Sequence, residues 1–189
     1  MTVTSVFKIF NPSIGTKLMR KYNKGETALL PDTEVPSLAL LRKAYGTDLV
    51  TELLKIHIRD LFDYVEQGQG SDDARIRELA ELILTNYYYL NIAEFIYFCS
   101  ECKLAKYGIF YGKSGPHQLA AMLLAYIKER NREIDIIERK NTEHRIQSLC
   151  NGYKEYMEHL RQEADNGNEE ARQLLIQHRK IHGYKEDIL

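Results

Sequence analysis

The chain has 189 residues, 44% hydrophobic and 28% charged, with a formal net charge of -1. At this length side chains alone can bury about 70% of the unfolded surface, so the fold requires no metal or disulfide staple. The balanced charge excludes a protein wrapped over its whole surface in nucleic acid. No run approaches the roughly 18 apolar residues of a membrane span, and the short mixed segment before Lys8 lacks the order of a secretory signal. Cys99, Cys102 and Cys150 are an odd set without an export signal, which predicts free thiols and a cytoplasmic protein.

Residues 1–36 are punctuated by Pro12, Gly15, Gly25, Pro31 and Pro36, which predicts an irregular arm laid over the surface. The arm is basic through Lys8, Lys17, Arg20, Lys21 and Lys24, and the acidic residues Asp72, Asp73, Glu78 and Glu81 are its expected dock. A helical core domain is expected over 37–140. Ser37 caps a first short helix closed by Gly46, and Thr47 opens a second that runs to about Val65 through Leu49, Leu53, Ile56 and Leu61. Gly68 and Gly70 break the chain, after which Ser71, Asp72 and Asp73 cap a third helix with Ile76, Leu79, Ala80, Ile83 and Leu84 on its buried stripe.

Asn91 and Glu94 form a capping-box pattern at the head of the next helix. Phe95, Phe98, Cys99 and Cys102 make its buried stripe, Lys103 and Lys106 suit its negative end, and Gly108 is placed to stop it in the left-handed conformation. Phe110 or Tyr111 is expected to plug back between helices, with Gly112 and Gly115 reversing the chain and Pro116 in the first turn beyond. The helical pattern then continues through Leu119, Leu123, Ile127, Ile134 and Ile137, crosses a polar stretch at 138–145, and resumes at near-heptad spacing with Ile146, Leu149, Tyr153, Tyr156 and Leu160. One long helix or two abutting ones account for it. A reversal at 164–171 and a short helix over 172–181 complete a C-terminal helical extension over 141–189. The fold class is therefore all-α: a multi-helix orthogonal or bundle-like domain with a long helix and a C-terminal helical hairpin.

The stretch Ala105-Lys106-Tyr107-Gly108-Ile109-Phe110-Tyr111-Gly112, followed by an amphipathic helix ending in Glu129-Arg130-Asn131, resembles a signature of small uncharacterised helical proteins of Bacteroidetes, often associated with mobile or prophage-like DNA. In those proteins the turn reads roughly GxYGxFYG, then Asp-Pro, a helix and ERN. The resemblance extends over residues 37–135; Ala105 replaces the first glycine and Gly115-Pro116 stands where Asp-Pro is usual. It implies a helical fold and a mobile-element setting, and it implies no reaction.

Gly108 to Ser114 ends like a phosphate loop, but three residues separate its glycines instead of four, and a helix precedes it in place of a strand. Cys99 and Cys102 have CxxC spacing late in a helix on its core side, the pattern of structural thiols. His178 and His182 are one turn apart without a third ligand in register, and His57, His117, His144 and His159 are scattered, so neither a metal site nor a cofactor is assigned. Lys103, Lys106, Tyr107, Tyr111, Lys113 and His117 do bring cations and stacking faces together, the combination that single-stranded nucleic acid prefers. Core plugs and helix-end charges explain the same residues without a ligand.

The expected function is a non-enzymatic helical interaction protein, an accessory of mobile-element DNA on the strength of the resemblance. The alternatives are a weak binder of single strands through the 103–117 turn and an enzyme of unrecognised type. No membrane partner is expected. Ile146, Leu149, Tyr153, Tyr156 and Leu160 form a seam too short to stand uncovered, which predicts a homodimer or another protein partner, with Leu174, Leu175 and Ile181 hiding part of it.

Overall fold

The computed structural model describes residues 2–65, 72–110 and 115–182, and every regular element among them is helical. The first is α1 (Val3–Ile9), capped by the Thr2 hydroxyl, which accepts from the Ser5 amide. A 3-10 turn at Pro12–Ile14 leads into α2 (Gly15–Lys21), and α3 (Lys24–Ala28) opens with a full capping box between Asn23 and Glu26. This corrects the expected irregular arm. Pro12 lies in the first turn of the 3-10 segment, where its missing N–H costs nothing.

Gly15 and Gly25 act as contact points within helices and not as breaks. A Cβ on Gly15 would strike the Ser100 hydroxyl, and one on Gly25 would stand 2.9 Å from Glu133 Cβ and 2.8 Å from Ile137 Cδ1. The absence of a side chain lets these short helices sit against longer ones.

α4 (Leu38–Tyr45) is capped by Ser37 and closed by Gly46 at φ +87°, as the sequence predicts. α5 (Thr47–Val65) buries Val50, Leu53, Leu54, Ile58, Leu61 and Phe62 against α4 and against α6 (Asp73–Asn86). The side-chain cap of α6 is Asp72, which accepts from the Ala74 amide; Gly68, Gly70 and Ser71 lie outside the described residues. Three of the carboxylates expected to dock a basic arm, Asp72, Asp73 and Glu81, are engaged elsewhere. Asp73 holds Lys55 and Arg59 of α5, and Glu81 holds Arg77.

α7 (Ile92–Lys103) is the element around which α2, α3 and α5 pack. It carries more than one apolar stripe: every residue from Ile92 to Cys99 is buried, the pattern of a helix enclosed on all sides. Its capping box is present, with the Asn91 amide donating to Glu94 at 3.0 Å and the Glu94 amide to Asn91 at 2.8 Å. The starts of α4 and α7 are tied together by an isolated antiparallel bridge. The Leu38 amide donates to the Leu90 carbonyl at 2.8 Å, and the Ile92 amide to that of Pro36 at 3.2 Å, so amides left unpaired at both helix starts find partners.

α8 (Gly115–Asp165) is a single helix, with the polar stretch inside it. Its first part buries Leu119, Leu123, Tyr126 and Ile127. Gly167, at φ +93°, turns the chain into α9 (Glu169–His182), whose first amides are received by the Asn168 side chain. The chain divides into two compact units, Met1–Ile137 and Glu138–Leu189. Residues 1–36 thus belong to the same unit as the helical core. No described helix is long and apolar enough to cross a membrane.

Candidate functional site

Two features of the molecule need explanation: an ion network deep in the first unit, and an apolar helical face left open in the second.

The network is built where α3, α7 and α8 meet. Lys24, the first residue of α3, is only 1% exposed, and its ammonium lies between Glu101 of α7, at 3.4 Å, and Glu129 of α8. The same ammonium stands 5.4 Å from the ring centroid of Tyr107 and 5.3 Å from that of Tyr126, close enough for cation–π attraction. Glu101 is buried and also receives Lys106 and the Tyr107 hydroxyl, each at 2.5 Å. Two turns nearer the start of α7, buried Glu94 accepts from Arg130 Nε at 2.5 Å, and the Arg130 guanidinium lies 5.6 Å from the centroid of the Tyr89 ring. Three carboxylates face three cations, so the network carries no net charge.

This is the arrangement that burying charge demands, since an unpaired ion there would cost several kcal/mol. Lys24 holds the Glu129 carboxyl below the usual carboxylate range. Burial pulls the Lys106 ammonium down, but the hydrogen bond to Glu101 and the negative charges of Glu101 and Glu129 together outweigh it and its pKa rises. Burial, reinforced by the Glu101 hydrogen bond, pushes the Tyr107 phenol up, and burial does the same to Tyr126. The Tyr126 hydroxyl has no hydrogen-bond partner among the described residues.

The turn after α7 departs from the expected one. The helix closes at Lys103 through a Schellman pattern, with the Lys106 amide on the Glu101 carbonyl at 3.1 Å and the Ala105 amide on that of Cys102 at 3.0 Å. The left-handed residue of this cap is Ala105, at φ +56°, and not Gly108. Gly108 lies three residues later, also at positive φ, +116°. Phe110 plugs back as expected, edge-on to Phe62 with ring centroids 5.8 Å apart.

Of the residues considered for nucleic-acid stacking, Lys103 is paired with Asp60 at 2.5 Å, and Lys106 with Glu101. Tyr107 packs against Phe98 and Tyr126. His117 is exposed at the start of α8, beside a shallow groove of about 400 Å³ lined by Arg75, Leu79, Leu82 and Ala120. Tyr111 and Lys113 lie outside the described residues, as do Gly112 and Ser114 of the loop compared with a phosphate site. The sequence places Lys24 on a basic arm laid over the surface. The only hint of its burial was the Asn23–Glu26 capping pattern around it, which marks a helix start.

Cys99 and Cys102 are buried, and desolvation raises both thiols well above the ordinary range. His57 is buried as well; desolvation pulls it down to about 4 against a hydrogen bond to the Phe10 backbone, and its Nε2 has no hydrogen-bond partner among the described residues. No described group of three His, Cys, Asp or Glu side chains is placed to hold a metal ion.

In the second unit the only buried residues among those described are Ala164 and Ala171. Met157, Leu160, Leu175 and His178 are half-buried on the line where α8 and α9 face each other, and the Tyr153 hydroxyl meets His178 Nε2. Ile146 is 56% exposed, Leu149 67%, Tyr153 49% and Tyr156 53%. Leu174 and Ile181, expected to cover them, are themselves exposed.

These features define an all-α protein with an internally neutralised core and an open helical hairpin. Residues 72–168, just over half of the chain, match DUF6633, a family of unknown function, and the chain belongs to that family. No curated protein and no solved structure was found to match it.

Proposed function

We propose that the protein is a non-enzymatic helical interaction protein whose binding element is the C-terminal hairpin. The observation that carries this reading is how little apolar surface the described residues of the second unit bury. Two alanines are a fraction of what a helical pair needs to stay folded in water, whereas four large apolar side chains on α8 stand open. Covering that face with a partner supplies the missing core. The resemblance of the 105–131 signature to mobile-element proteins of Bacteroidetes suggests the setting, an accessory role beside such DNA in the cytoplasm.

Binding of single strands through the 103–117 turn has less behind it. Lys103 and Lys106 already face carboxylates, and Tyr107 is committed to the aromatic core.

Hydrogen exchange on the full chain tests the proposal. In dilute protein the amides of 138–165 are expected to exchange far faster than those of α7, and to gain protection when the partner is present or the protein is concentrated. Protection equal to that of α7 at high dilution would mean that the hairpin needs nothing, and the proposal would fail.

A further inference from the structure

The ammonium of Lys24 is enclosed by side chains that α3 does not supply. Glu101 and Tyr107 come from α7 and the turn after it, and Tyr126 and Glu129 from α8. These walls are set by contacts among themselves: the Phe98 ring of α7 lies 5.4 Å from that of Tyr126, and the Tyr107 ring 6.3 Å from it, centroid to centroid. α3 itself contributes little else. Its buried residues are Lys24, Gly25 and Thr27, so no large apolar side chain anchors it. Beyond the ammonium, backbone groups hold it, with the Gly25 amide donating to Glu133 and the Thr27 carbonyl accepting from Asn91, each at 2.8 Å.

We propose that the junction of α7 and α8 is a binding pocket for a primary ammonium group, filled from within the chain by Lys24. Tyrosine faces and carboxylates gathered around one cation are the chemistry that recognises an alkylammonium ion: the rings attract its charge and pack its stem, and the carboxylates accept its N–H groups. Glu129 accepts from Lys24 and Glu101 Oε2 stands 3.4 Å from it, so a primary amine fits where a quaternary one, lacking N–H, does not. Lys106 occupies a different place. It holds Glu101 through Oε1 at 2.5 Å and lies 3.7 Å from Glu129, so removal of the Lys24 ammonium leaves these carboxylates to share one cation and the pocket one cation short. The Glu129 side chain is 48% exposed, which gives a free amine a route that leaves the buried faces of α7 closed. The pocket lies within the unit Met1–Ile137, and its test does not depend on the hairpin reading.

The experiment is chemical rescue of Lys24→Ala in the full chain, a change that deletes the equivalent of a propylammonium group. In denaturant melts, propylammonium chloride at roughly ten times its dissociation constant is expected to raise the variant's folded-to-unfolded ratio about tenfold, and to saturate. Wild type should not respond, because its pocket is filled. Nor should the variant respond to 1-propanol, which lacks the charge, or to tetramethylammonium chloride, which lacks the N–H groups. Glu129→Gln added to Lys24→Ala is expected to weaken the amine roughly tenfold, the worth of a hydrogen bond to a charged group.

An equal response to 1-propanol or tetramethylammonium, an equal response of wild type, or an amine response that survives Glu129→Gln unchanged would overturn the pocket. So would no response at all, which would mean that Lys106 neutralises both carboxylates and Lys24 is an ion-pair partner only. Where Lys24→Ala alone is unfolded, the readout is helical circular dichroism, which propylammonium must restore; failure to restore it overturns the proposal equally.

Discussion

Ala105 occupies a backbone conformation that its side chain disfavours. At φ +56° in the Schellman cap of α7, a non-glycine residue carries a steric cost of about 1–2 kcal/mol, partly offset in glycine by greater freedom of the unfolded chain. Ala105→Gly is therefore expected to stabilise by about 0.5–1 kcal/mol, read as a rise of a few degrees in Tm. An unchanged or lower Tm would contradict the assignment of the cap. Gly108→Val goes the other way: the space around Gly108 is open, with Met122 Cε nearest at 3.9 Å, so the cost of about 1–3 kcal/mol comes from positive φ alone. His57 contributes a pH dependence. Its folded pKa of about 4 lies below the ordinary 6.5, so the unfolded chain binds a proton that the folded one refuses. Stability is present in full above pH 6.5 and falls as the pH drops toward 4, by a total on the order of 3 kcal/mol. Denaturant midpoints at pH 7 and pH 5 should differ in wild type, and His57→Gln should remove most of the difference.

Among the elements, α3 shows most plainly what the sequence conceals. Glycines and prolines in 1–36 read as breaks because periodicity records which residues are apolar, not which helices approach closely; Gly25 against Glu133 and Gly15 against Ser100 are tertiary facts. Lys24 reads as a surface charge for the same reason, since nothing near it in the chain announces Glu101 or Glu129. The Asn91–Glu94 capping box, the Gly46 stop and the reversal at 164–171 are legible, because each depends on residues within a turn or two of one another, whereas the sequence leaves open whether α8 is one helix or two. Lys24→Met should destabilise the first unit on the order of 3 kcal/mol by leaving Glu101 short of a buried partner. Combined with Glu129→Gln, its effect should be less than additive by roughly 0.5–3 kcal/mol in a double-mutant cycle. Strict additivity would mean that the network does not couple α3 to α8.

On the scale of the whole molecule the two units use the same kind of helix differently. The first encloses α7 completely and neutralises its own internal charges, a construction suited to a rigid body. Among its described residues the second buries only Ala164 and Ala171 fully, half-buries Met157, Leu160 and Leu175, and leaves Ile146, Leu149 and Tyr156 outward. The seam itself was legible from heptad spacing. How little of it α9 covers was not, because Leu175 turns inward while Leu174 and Ile181 do not, and a one-residue difference in helical phase decides which face is hidden.

Hydrogen exchange on the dilute full chain tests the central claim, that the C-terminal hairpin needs a partner, most directly. In the 22.0 kDa monomer the amides of 138–165 should exchange far faster than those of α7. Protection of 138–165 equal to that of α7 in the dilute monomer would contradict the account.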